Sequence, residues 1–118
     1  MSVFDKRPPV VSAVATAAVE AARVLSLAPY EEWHKSDTAA SRGDALLLAL
    51  SALSTEIEKA AEGADKDRAR THIIAAAELV HYALEVCERS FDESLAAWRL
   101  VGDEILRARI FGNRALAA

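Results

Sequence analysis

Two Glu-x-x-His spacings, Glu31…His34 and Glu78…His81, are the residues best suited by type and position to do chemistry. Residues three apart on a helix share a face, so each carboxylate and imidazole could grip one metal ion. Di-iron bundles combine two such pairs with one glutamate from each of two further helices. Glu20, Glu56 and Glu85 are the carboxylates that could complete such a set. The pattern departs from that arrangement, because Glu31 and His34 fall on a connecting segment. Glu78, His81 and Glu85 fall on the polar side of their helix, and Glu20 points away from an apolar stripe. The expectation is a solvated polar face with no metal and no cofactor. A carboxylate–histidine metal site on Glu78, His81 and Glu85 is the alternative.

The remaining reactive side chains are weaker candidates. His72 lies nearest the apolar side of its helix, where a half-buried imidazole with a hydrogen-bond partner is expected, and the sequence nominates no nucleophile or acid beside it. Cys87 falls inside an apolar stripe and reads as a small inert core residue. Arg68-Ala-Arg70-Thr-His72 is too tightly spaced for an arginine–histidine nuclease site. The glycines stand singly at 43, 63, 102 and 112, so no phosphate-cradling loop is present. Arg42-Gly43-Asp44 spells an integrin-type tripeptide by chance. Arg99, Arg107, Arg109 and Arg114 make the C-terminal stretch mildly basic, which is the basis of a weaker alternative, association with nucleic acid.

Apolar residues on the wrong side of their helices are more informative. Leu47 and Leu48 leave the stripe of their helix, Ile74 sits among polar residues, and Leu100 and Phe111 do the same further on. Tyr30 and Trp33 place two aromatics on a connecting segment. A helix that is apolar nearly all round is usually central or covered by another chain. These residues are therefore the expected partner-binding set.

Hydrophobic periodicity and end signals predict the elements that carry these residues. Residues 1–8, ended by Pro8-Pro9, read as a flexible arm. A first helix runs from about Pro9 to Ala28, with a face of small side chains from Val10 to Leu25. Pro29 opens a short helical segment, Tyr30–Lys35. A polar connection follows, with Asp37 and Asp44 as candidate N-caps. The second helix spans about Asp44 (or Asp37) to Glu62, with Leu46, Leu50, Leu53, Ile57 and Ala60 inward and Gly63 ending it. The third runs from about Asp65 to Arg89, with Ile73, Ala76, Leu79, Val80, Ala83, Leu84 and Cys87 on one side. The fourth opens on a capping box, Ser90-Phe-Asp-Glu93. Its expected stripe is Phe91, Leu95, Trp98, Gly102, Ile105 and Leu106, with Gly102 as a close helix contact and Arg99, Asp103 and Arg107 forming a charge ladder opposite.

The expected fold is thus all-α, a single domain over residues 1–118 built from four principal helices and one short extra segment. Composition agrees, since 53% of residues are hydrophobic but only 6% aromatic, and much of the core must be alanine. A net charge of −4 does not favour nucleic acid, whose phosphates call for a basic footprint. One cysteine cannot form an internal disulfide, and the polar, proline-interrupted start is unlike a signal peptide. No apolar run approaches the ~20 residues of a membrane span. The expected setting is cytoplasmic. The expected function is a non-enzymatic protein-interaction module, an adaptor, regulator or structural subunit of host or phage type, that self-associates as a homodimer.

Overall fold

Good helix formers fill three long runs between the glycine, serine and aspartate signals, and each becomes a helix. The computed structural model describes residues 36–117, the side chains from Gly43 onward. Its elements are α1 (Ser36–Ile57), α2 (Ala64–Val86) and α3 (Phe91–Ala117), with no strand among the described residues. The fold is all-α. The expected first helix, the segment with Tyr30 and Trp33, and the N-terminal arm lie outside the described residues. Connections of a few residues make successive helices antiparallel neighbours.

All three helices bury their residues with alternating spacings of three and four. In α1 the buried row is Gly43, Leu46, Leu50, Leu53 and Ile57. In α2 it is Lys66, Ala69, Ile73, Ala76, Val80 and Ala83. In α3 it runs Ser94, Trp98, Val101, Ile105, Ala108, Gly112 and Ala115. A 3.5-residue period is that of a coiled-coil seam, which keeps one row of side chains against the partner helix. The rows of α2 and α3 are rich in Ala, Ser and Gly, so their backbones approach closely and the pair packs most extensively, with α1 leaning on α2 and touching α3 less. The register is fixed where the Ser94 hydroxyl donates to the Ala83 carbonyl at 3.1 Å, both residues being buried.

The stripe of α3 differs from expectation. The buried arc is rotated roughly a quarter turn from the row of Phe91, Leu95, Gly102 and Leu106 toward Ala97, Ala108 and Gly112. Large side chains dominate a hydropathy reading, but here small ones make the closer contact. Leu106 is left exposed and Gly102 only half-buried. The close-contact glycines are Gly43 and Gly112 instead. An added Cβ on Gly43 would lie 2.7 Å from Leu84 Cδ1, and one on Gly112 would lie 2.9 Å from Ile57 Cδ1.

Helix ends also differ. α1 already starts at Ser36, so Asp37 and Asp44 lie within the helix rather than capping it. It ends at Ile57, not Glu62, through tight turns in which Lys59 and Ala60 amides donate to the Glu56 and Ile57 carbonyls at 3.1 and 3.0 Å. Gly63, expected to close α1, instead stands at the N-cap of α2 in extended backbone. At α3 half of the capping box forms, the Glu93 amide donating to Ser90 Oγ at 3.3 Å. The reciprocal half is lost because the Ser90 amide is held by the Val86 carbonyl at 2.8 Å. The Glu93 carboxylate accepts from the Tyr82 hydroxyl at 3.3 Å instead.

Candidate functional site

Short turns force charged residues at the ends of α1 and α2 together, and a polar clamp results. α1 has no basic residue in its last turn, and the turn beyond it presents the carbonyls of Glu58 and Ala60 to a donor. Lys66 of α2 supplies one from across the turn. Its side chain is only 3% exposed, and Nζ donates to the carbonyls of Glu58 (3.1 Å) and Ala60 (2.8 Å) and to Glu62 Oε2 (2.9 Å). An ammonium has three protons, so these acceptors satisfy it. One turn further along, Arg70 holds Glu58 through a two-pronged pair of bonds at 2.8 Å and also reaches Glu62 and Asp67.

Hydrogen bonds from Arg70, then its charge and that of Lys66, outweigh desolvation and hold the Glu58 carboxyl down at about 2, from an ordinary 4.5. Bonds from Arg70 and Lys66 likewise lower Glu62. A carboxyl depressed in the folded state adds stability above its unfolded value that disappears as pH falls through the folded one. The melting temperature is therefore expected to drop as pH falls from about 4.5 toward about 2, and Glu58→Gln should flatten that drop. An equally steep acid transition in Glu58→Gln would remove the clamp from the account.

A second cluster joins α2 to the C-terminal half of α3. His72 Nδ1 lies 2.7 Å from Glu104 Oε1, and Arg107 Nη1 donates to the other carboxylate oxygen at 2.7 Å. Burial alone would raise Glu104, but the bonds from His72 and Arg107 outweigh it and keep the carboxyl low. An ionised carboxylate only accepts, so Nδ1 carries the proton of this bond. The imidazole stacks on Phe111 with centroids 5.6 Å apart and planes 9° from parallel. The guanidiniums of Arg68 and Arg114 lie 5.7 and 5.5 Å from the same ring. The half-buried, partnered histidine anticipated from sequence is present, with Glu104 as the acid that sequence did not nominate. A carboxylate-oriented imidazole is one half of a nucleophile-activating set. Here the imidazole, stacked on Phe111 and bonded to Glu104, links α2 to α3.

Glu78, His81 and Glu85, the residues of the alternative metal site, are all exposed on α2. Among the described residues no group of three or more His, Cys, Asp or Glu side chains converges on a metal position. Cys87 is half-buried, Sγ donating to the Leu84 carbonyl at 3.2 Å, and burial pushes its thiol up. Arg107 pairs with Glu104, not with Asp103 as the expected ladder required. A cleft of about 220 Å³ lies at the α1–α2 turn, bordered by Gly63, Arg68 and Ala115.

The expected partner-binding residues divide. Leu48, Ile74 and Leu100 remain 74%, 60% and 49% exposed. Leu47 instead packs half-buried against the core cluster. Phe111 also packs on the core and serves as the platform for His72 and the two arginines. Tyr30 and Trp33 lie outside the described residues. Sequence reasoning missed Tyr82, Leu106 and Ile110, which are also exposed. For Leu106 the error follows from the rotated stripe. The Lys66 clamp was legible in principle, as Glu58, Glu62, Lys66 and Arg70 repeat at four-residue steps across Gly63.

No helix among the described residues is long and apolar enough to cross a membrane. No protein-family model, curated protein or solved structure matches this chain.

Proposed function

We propose that this protein is a non-enzymatic helical interaction module, an adaptor, regulator or structural subunit, that pairs with a second copy of itself. The carrying observation is the exposure of a large aliphatic side chain on the outer side of every described helix, Leu48 on α1, Ile74 on α2 and Leu100 on α3. Full transfer of such a side chain from water into a contact contributes about 1.5–3 kcal/mol. Single exposed leucines need no explanation, but their recurrence favours a covered surface. The two polar clusters support the same reading, since their side chains are spent on holding helices together.

The finer architecture belongs to this proposal. The stripe of small residues between Pro9 and Ala28 suits a fourth helix. The lone free thiol of Cys87 fits a reducing, cytoplasmic setting.

Mass action tests self-association. The melting temperature of an associating protein rises with its own concentration, because dimerisation stabilises the folded chain alone. An upward shift across two decades of concentration is expected. A melting temperature independent of concentration would overturn the reading.

A further inference from the structure

The outer side of α3 repeats the alternating four-and-three spacing of its buried seam. Ala96, Leu100, Asp103, Arg107, Ile110 and Arg114 follow this rhythm, and every one is exposed. At 3.6 residues per turn they form one stripe, about 150° around the helix from the buried row. A second coiled-coil-type seam is therefore present with no described helix against it.

We propose that this stripe pairs with the same stripe of a second copy, antiparallel about a two-fold axis at the level of Ile105. This inference rests on the self-association proposed above and names its surface. In this register Leu100 of one copy faces Ile110 of the other, and Asp103 faces Arg107, each pair occurring twice by symmetry. At these central positions apolar meets apolar and acid meets base without any further partner, and at each end Ala96 faces Arg114. A parallel arrangement would set Asp103 on Asp103 and Arg107 on Arg107, so the charges select the antiparallel one. The bond of Arg107 to Glu104 within the chain does not compete. A guanidinium carries five N–H donors, and only Nη1 is used there. Two-fold pairing also covers the stripe completely, leaving no open end for further growth.

Charge reversal in the full-length chain tests the register. Asp103→Arg sets one guanidinium against another, that of Arg107, and Arg107→Asp sets a second carboxylate against Asp103. Each is expected to weaken dimerisation on the order of tenfold or more. The double variant D103R/R107D restores complementary pairs and should return the dimer. Leu100→Asp should also dissociate it. Circular dichroism of each variant must retain the wild-type helical signal, which these exposed positions permit. A dimeric wild type unaffected by Asp103→Arg and Leu100→Asp would overturn this interface while leaving self-association intact. Dissociation by both single charge reversals without rescue in the double variant would overturn the antiparallel register. A wild type monomeric at every concentration would overturn both this inference and the reading beneath it.

Discussion

Replacing Lys66 by methionine is expected to lower unfolding free energy by about 3 kcal/mol. Methionine keeps the packed stem but removes every donor. The Glu58 and Ala60 carbonyls then lose the cation that meets them beyond the end of α1. Bonds to charged groups are worth roughly 1.5–3 kcal/mol each, and orphaned buried groups add their own cost. The effect stays below the sum of these, because Glu62 is largely exposed and regains water. Lys59→Met is the matched control. Lys59 also pairs with a glutamate, Glu56 at 2.6 Å, but is 65% exposed, and exposed pairs contribute under about 1 kcal/mol. Urea denaturation of the two variants should separate them clearly. Equal losses would mean that burial of Lys66 has no energetic consequence.

Trp98→Ala is expected to cost about 3–5 kcal/mol, the usual range for deleting a buried aromatic. Trp98 is the largest fully buried side chain of the described core, clustered with Val80, Val101 and Leu50. It stands in the buried row of α3, and the buried row of α2 alternates alanines with larger residues. A domain of this size has roughly 5–15 kcal/mol of stability in total. The variant should therefore melt on the order of 10 °C or more lower, or fail to fold. A loss under about 1 kcal/mol would mean that the ring is not part of the core.

The large side chains of α1 and α2 were legible because period and hydropathy agree there. Leu46, Leu50, Leu53 and Ile57, and Ile73 and Val80, are all buried as expected. α3 was misread because its seam is built from residues with little hydropathy to weigh. Ser94, Ala108 and Gly112 are buried by what faces them, the Ala83 carbonyl at Ser94 and the Ile57 side chain at Gly112, and only the facing helices reveal that. The glycines misled for a related reason. Gly43 looks like punctuation in sequence, yet Leu84 needs its missing Cβ. His72 was read correctly as a partnered histidine, but Glu104 is thirty-two positions away, and no local spacing announces such a pair. Leu47 and Leu48 are adjacent and chemically identical, so only packing could separate the covered one from the exposed one.

Sedimentation equilibrium of the wild-type chain over a wide range of micromolar concentrations tests the central claim most directly. The account predicts a mass that climbs with concentration from the chain value of 12.7 kDa toward twice that figure, described by a single monomer–dimer constant. A mass fixed at 12.7 kDa throughout would contradict it.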